Sequence, residues 1–150
     1  MVVVLIISVL AMLAVPTFGR IKRKAKTSVI VNDFRVFAGA FEAYQQETGA
    51  WPPEAAAGVF PPLMANRINQ TQWSRVTPMG GKYNWEYNQI HFGTRYTAAV
   101  AIAAAAGAPL TLDVPQLTDL EHAIDGANIN WLGGNFHIGS GLNPLFIVQP

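Results

Sequence analysis

The stretch that decides the fold stands at the front of the chain, where residues 1–18 read MVVVLIISVLAMLAVPTF. The run holds no charged residue, and its only polar side chains are the hydroxyls of Ser8 and Thr17. As a helix it would be roughly 27 Å long, close to the ~30 Å hydrocarbon thickness of a bilayer. The run therefore predicts an apolar helix that lies in a membrane or in another apolar environment.

The large aliphatic side chains of this run are expected to be the ones buried there. They are Val2, Val3, Val4, Leu5, Ile6, Ile7, Val9, Leu10, Met12, Leu13 and Val15. Pro16 removes a backbone donor and crowds the carbonyl four residues earlier, and Gly19 follows it. We therefore expect the helix to kink or melt locally between Pro16 and Gly19.

Beyond Gly19 the pattern stays helical but becomes amphipathic. Ile30, Phe34, Phe37, Phe41 and Tyr44 are separated by four, three, four and three residues, which places them on one face of a helix. We interpret this aromatic stripe as the surface that packs on the rest of the domain.

The sequence after this stripe predicts where the helix ends. Gly49 suits a left-handed cap, and the Trp-Pro-Pro sequence at 51–53 forbids continuation. The resulting organisation is an apolar helix over 1–19, its amphipathic continuation over 20–49 and a globular head over 50–150.

The head combines a proline-rich loop with short strands. Residues 50–81 are loop-like, and residues 82–88 alternate aromatic and polar side chains as a strand does. The alanine-rich residues 97–106 fit a helix or a buried strand, and we favour the strand. Further elements are a short helix at 113–123 and closing strands at 135–138 and 145–149. The predicted fold class is α+β, a long spine helix packed on a small antiparallel sheet.

Composition narrows the function classes. The 150 residues include no cysteine, which excludes disulfides and thiolate chemistry. Only 13% are charged and the net charge is +1, so nucleic-acid binding by a global field is not expected. No nucleophile or phosphate-loop motif is visible. We expect no catalytic residues and no cofactor, and we predict that the chain is not an enzyme.

Three sets of residues have side chains of the kinds that form binding sites. His91, His122 and His137 lack the spacing of metal ligands, and we interpret them as surface or sheet residues. Asp125 and Gly126 could begin a calcium loop, but without a full oxygen-ligand set they are better read as a turn, and no metal is predicted. The basic residues within 20–26 would either contact lipid headgroups or pair between subunits with acids such as Asp33 and Glu42.

The first fifty residues resemble the N-terminal region of the type IV pilin family, which also contains the pseudopilins of type II secretion. The apolar run closed by Pro16 carries this resemblance. The helix end Tyr44-x-x-x-x-Gly49-x-Trp51-Pro52 is similar to that of pseudopilin-like chains, more loosely. So are TPMGGKYNW at 77–85, IDGAN at 124–128 and GNF at 134–136.

The family motif also includes a processed phenylalanine and, four residues after it, a glutamate. Aligning the valine run places both of them upstream of Met1, together with a basic leader. Either the coding sequence upstream supplies them or this subunit lacks the motif, and the length that an apolar helix needs to span a bilayer favours the first. The basic residues that follow the apolar run would by themselves predict a cytoplasmic head, whereas the resemblance implies export.

The resemblance implies a structural subunit that polymerises into an extracellular filament at the cell surface and is anchored in the inner membrane before assembly. Its partners would be identical subunits and a pilus assembly or secretion machinery, with no nucleic acid. A major pseudopilin of a type II secretion system is the first alternative. A membrane-anchored binding module is the second, and it is the one that the basic run favours.

Overall fold

A computed structural model describes residues 2–126 and 130–150, and within the first helix it describes the side chains of residues 3, 4, 6–8 and 18–48. The chain begins with one helix, α1 (Val2–Thr48), which is roughly 70 Å long at the usual rise per residue. The backbone stays helical through Pro16 and Gly19. The backbone is therefore not melted there, and a kink in the continuous helix, the other part of the expectation, stays a prediction.

The end of α1 follows the sequence closely. Gly49 has a φ of 76° and donates its N–H to the Gln45 carbonyl at 2.8 Å. The Thr48 hydroxyl donates to the Tyr44 carbonyl at 2.8 Å. Only glycine adopts this left-handed conformation without a steric penalty, so Gly49 fixes the point where the chain leaves the helix.

The head is built on a four-stranded antiparallel sheet. Its strands are β1 (Lys82–His91), β2 (Thr94–Ala103), β3 (Phe136–Ile138) and β4 (Pro144–Gln149), in the spatial order β1-β2-β4-β3. The α+β prediction is confirmed, because the long N-terminal helix packs on this sheet.

The alanine-rich segment is a strand, as the sequence analysis favoured. Ala98, Val100 and Ile102 face the core beneath α1, while Ala99 and Ala101 belong to a second buried cluster. Both faces of β2 are therefore covered. Small side chains fit where neighbouring elements pack closely on both sides, and this explains why alanine, a good helix former, occupies a strand here.

Aromatic rings connect α1 to the sheet. Phe34, Phe37 and Phe41 have no solvent exposure. The Phe41 ring stacks on Trp85 of β1 with centroids 3.7 Å apart, and the Phe37 ring meets Tyr83 edge-on at 4.9 Å. Contacts of this kind add to the hydrophobic gain from burying the rings. The second half of α1 is thus part of the head's core.

Three connecting segments pack against α1 or against the sheet. Asn69 caps the start of helix α2 (Gln70–Ser74), because its side chain accepts the Gln72 N–H at 3.1 Å. Helix α3 (Val114–Ile124) packs on α1. Before them, residues 55–58 run along β1: Ala55 exchanges two backbone hydrogen bonds with Trp85, and the Gly58 N–H donates to the Tyr83 carbonyl. This segment pairs with part of the outer edge of β1.

Candidate functional site: helix α1 and its junction with the head

The N-terminal part of α1 exposes its apolar side chains. The described members of the predicted apolar set, Val3, Val4, Ile6 and Ile7, are 52–68% exposed. Phe18 is 73% exposed and Ile21 is 60% exposed. A monomeric soluble protein rarely leaves a contiguous apolar surface of this kind uncovered, so this end of the helix needs a partner or an apolar environment.

Several predicted positions lie outside the description. The side chains of Val2, Leu5, Val9, Leu10, Met12, Leu13, Val15 and Pro16 are among those that the structure does not describe. The same holds for Met1 and for Ala127 and Asn128 of the IDGAN segment. Gly19 is exposed, with no other group within 4 Å of the position that a Cβ would take.

The head first contacts α1 through helix α3. The Arg23 Nε donates to the Asp119 carboxylate at 2.6 Å, and both side chains are partly exposed. One turn later, the Gln116 amide donates to the Thr27 hydroxyl at 2.6 Å, and Thr27 is buried. The hydroxyl in turn donates to the Arg23 carbonyl. This pair of contacts marks the level at which α1 enters the head.

Deeper in the head, a buried carboxylate on α1 gathers three polar partners. Asp33 is 1% exposed. One oxygen accepts a hydrogen bond from the Gln72 amide at 2.7 Å, and the other accepts the Tyr83 hydroxyl at 2.6 Å and pairs with Arg75. Burial, followed by the hydrogen bond to the Asp33 carboxylate, raises the pKa of Tyr83. The Asp33 cluster (Asp33, Gln72, Arg75 and Tyr83) thus ties α1 to α2 and β1.

Asp33 is already paired within its own chain, whereas the sequence suggested a pairing between subunits. Asp33 pairs with Arg75 and not with the basic residues of 20–26. Glu42 is exposed and has no ion pair among the described residues. The spacing contained a signal for the burial of Asp33, because it lies three residues after Ile30 and four before Phe37. Its partners could not be predicted, since they come from segments that fold back from far along the chain.

The aromatic stripe lies where the sequence placed it. Ile30, Phe34, Phe37 and Phe41 have no exposed surface, and Tyr44 is half-buried against the same core. The exposed and buried parts of α1 therefore meet at the contacts with α3. One helix thus carries two surfaces, one already covered by the head and one uncovered.

Two of the histidines take part in polar contacts on the sheet. The His91 Nε2 lies 2.6 Å from the Glu86 carboxylate, and the His91 Nδ1 accepts the Ser140 N–H at 3.0 Å. The His137 Nδ1 lies 2.8 Å from the Tyr96 hydroxyl. Within the described part of the chain, no three His, Asp or Glu side chains are grouped so as to hold a metal ion.

Asp125 lies in a turn, which is the interpretation that the sequence favoured. Its carboxylate accepts the backbone N–H groups of Asn135 and Phe136 at 2.9 and 2.6 Å, and so fixes the chain as it enters β3. A Cβ on Gly134 would lie 2.5 Å from one Asp125 oxygen. Glycine at 134 lets the backbone approach this carboxylate closely.

Glu121 on α3 is a buried carboxylate with a free oxygen. Its Oε1 accepts the Asn130 N–H at 2.9 Å, while Oε2 has no partner among the described residues. Burial raises the pKa of Glu121, and the Asn130 hydrogen bond offsets part of that rise. Because the folded pKa exceeds the unfolded one, the folded state gains stability from Glu121 as the pH falls through the folded pKa.

We expect Glu121→Gln to raise the free energy of unfolding at pH 7, because an ionised side chain is no longer buried. The difference from wild type should shrink as the pH falls through the folded pKa and on below the ordinary value of 4.5, where the glutamate becomes protonated in both states. Urea unfolding at several pH values measures this, with the exposed Glu42→Gln as the control. A pH-independent difference would contradict the assignment.

Comparisons of the chain with protein families, with curated proteins and with solved structures found no match in any of the three. Among the residues that the structure describes, no helix combines the length and apolar character that membrane crossing requires.

Proposed function

We propose that this chain is a structural subunit that polymerises through α1 into an extracellular filament of the type IV pilus kind. The observation that carries the proposal is the division of α1. Its second half is buried in the head, whereas the described aliphatic side chains at its start are more than half exposed. A long helix with one covered and one uncovered apolar part is a shape suited to assembly with other copies.

The driving force of the proposed assembly is burial. Each Leu, Ile or Val side chain removed from water contributes roughly 1.5–3 kcal/mol. A membrane can shelter the same side chains before assembly, and the exchange from lipid to filament then rests on close packing. Subunits related by a screw operation form an interface that does not close on itself, so growth continues by repeated addition.

In this proposal the inner membrane holds the subunit before an assembly machinery transfers it to the filament. The fold is compatible with that of a pilin, since a long N-terminal helix packs on a small antiparallel sheet. A major pseudopilin would use the same helix for a short secretion filament, and the length of the fibres on cells distinguishes the two.

The test uses the chain expressed from its own gene in its own host, with an epitope inserted at Gly93 in the exposed β1–β2 turn. We expect the epitope on surface fibres in immunogold electron microscopy and in the sheared fraction. Ile7→Asp should abolish the fibres, because a carboxylate in the apolar part of α1 is costly both in lipid and in a packed core.

The matched control is Val59→Asp, which introduces the same charge at an apolar residue of the head that is 53% exposed. This variant should still form fibres. An epitope that resists external protease until the cells are lysed, with no labelled fibre, would contradict the proposal and favour a membrane-anchored module that faces the cytoplasm.

A further inference from the structure

Four cations of α1 lie just after its apolar part and belong to none of the ion pairs among the described residues. They are Arg20, Lys22, Lys24 and Lys26. Arg20, Lys22 and Lys24 are exposed and Lys26 is half-buried. Of the basic residues within 20–26, only Arg23 has a carboxylate within ion-pair distance in the described part of the chain.

Helix geometry places these four cations in two rows. Arg20 and Lys24 are one turn apart, and so are Lys22 and Lys26. At about 100° per residue, the two rows lie on opposite flanks of the helix. Between them, on the face turned away from the buried Thr27 and Ile30, lie the exposed Ile21 and Ala25. An apolar face is therefore bordered by positive charge on both sides.

A second copy of the chain offers little to neutralise these rows. The chain has nine acidic residues. Asp33, Glu86 and Glu121 are buried, and Asp119 and Glu47 already pair with arginines. Asp125 accepts two backbone N–H groups, and Glu54 accepts the Gln89 amide. That leaves Glu42 on α1 and Asp113, which lines a small cleft with Lys22 and Lys26 without forming an ion pair.

A lipid interface matches the arrangement better. Long basic side chains cover apolar surface with their stems and place the charge among phosphates, which surround an emerging helix on every side. Duplex nucleic acid supplies phosphates but no hydrocarbon for Ile21 and the 73% exposed Phe18. The two rows sit within about one and a half turns, a height comparable to a headgroup layer.

We propose that Arg20, Lys22, Lys24 and Lys26 bind the phosphates of anionic phospholipids where α1 leaves the bilayer. This inference rests on the membrane-held stage of the proposed function. It adds that the subunit selects anionic lipid around its helix and that the two basic rows set the depth of the helix in the membrane.

The test measures lipid selectivity of the full chain in nanodiscs by spin-label electron paramagnetic resonance. The quantity compared is the fraction of spin-labelled lipid that is motionally restricted at the protein surface. It is measured once with labelled phosphatidylglycerol and once with labelled phosphatidylcholine. We expect about a three- to five-fold preference for phosphatidylglycerol, since each basic residue near the surface favours anionic lipid and salt screens the effect. The preference should fall in 1 M salt.

Replacing all four residues by glutamine (R20Q, K22Q, K24Q and K26Q) should remove the preference. A control that neutralises Arg35, Lys82 and Arg95 of the head should retain it. A restricted lipid pool without selectivity in wild type would overturn the headgroup proposal alone. The absence of any restricted lipid would instead contradict the membrane stage of the proposed function. The proposal would also be overturned if R20Q/K22Q/K24Q/K26Q kept the preference for phosphatidylglycerol. Charge-dependent binding of duplex DNA in place of lipid selectivity would overturn it as well.

Discussion

Replacing Phe41 by alanine is expected to lower the free energy of unfolding of the head by about 3–5 kcal/mol. The Phe41 ring is fully buried, stacks on Trp85 and also meets Trp73 edge-on at 5.7 Å. Truncation removes the transfer free energy of the ring and leaves a cavity between two tryptophans that cannot close without moving α1. The change should therefore approach the upper end for a single core substitution.

Urea unfolding of the detergent-solubilised full chain, followed by tryptophan fluorescence, measures this loss. Val36→Ala on the same helix is the control, because Val36 is 47% exposed and its truncation should change the free energy by less than about 0.5 kcal/mol. Equal effects of the two variants would mean that the stripe of α1 does not form the core of the head.

Asp33→Ala is expected to cost about 2–4 kcal/mol. The substitution leaves the buried Tyr83 hydroxyl without its acceptor, and an unsatisfied buried group of this kind costs about 1–3 kcal/mol. The Gln72 amide also loses its acceptor, but it is only partly buried, so water replaces part of that hydrogen bond. Arg75 adds less, because its side chain is 41% exposed and water can replace its ion-pair partner. The same unfolding measurement applies.

Two further variants separate the contributions to the Asp33 cluster. Asp33→Asn keeps one acceptor oxygen and should cost about half as much as Asp33→Ala. Asn32→Ala, at the exposed neighbouring position, should be close to neutral. A loss for Asp33→Ala no larger than that for Asn32→Ala would show that the cluster does not hold α1 against α2.

The fold was predictable from the sequence to the extent that local patterns decided it. The stripe from Ile30 to Phe41, the helix end at Gly49 and the strand predicted at 82–88, which the structure extends to His91, depend on side-chain spacing and glycine conformation, which are visible along the chain. The strand through the alanines was harder, because the intrinsic preference of alanine opposes the tertiary setting.

The polar contacts of the site depend on distant segments and could not be read from spacing. Asp33 meets partners about 40 to 50 residues away, and Arg23 meets Asp119 across 96 positions. The sequence therefore predicted which face of α1 is apolar but not the partners that Asp33 has within its own chain. At Pro16 the backbone of the single chain is helical, so a kink is the part of that expectation that stays a prediction.

The short segment 55–58 has a consequence for how the chain can associate. Exposed strand edges attract foreign strands and start uncontrolled aggregation. Here Ala55 and Gly58 occupy backbone groups of β1 at Trp85 and Tyr83, and the opposite edge is the three-residue β3. Proteins whose sheets have unpaired edge strands aggregate when many copies are packed side by side. One edge of this sheet is partly paired and the other is only three residues long, so copies of the head can pack closely without starting amyloid-like growth.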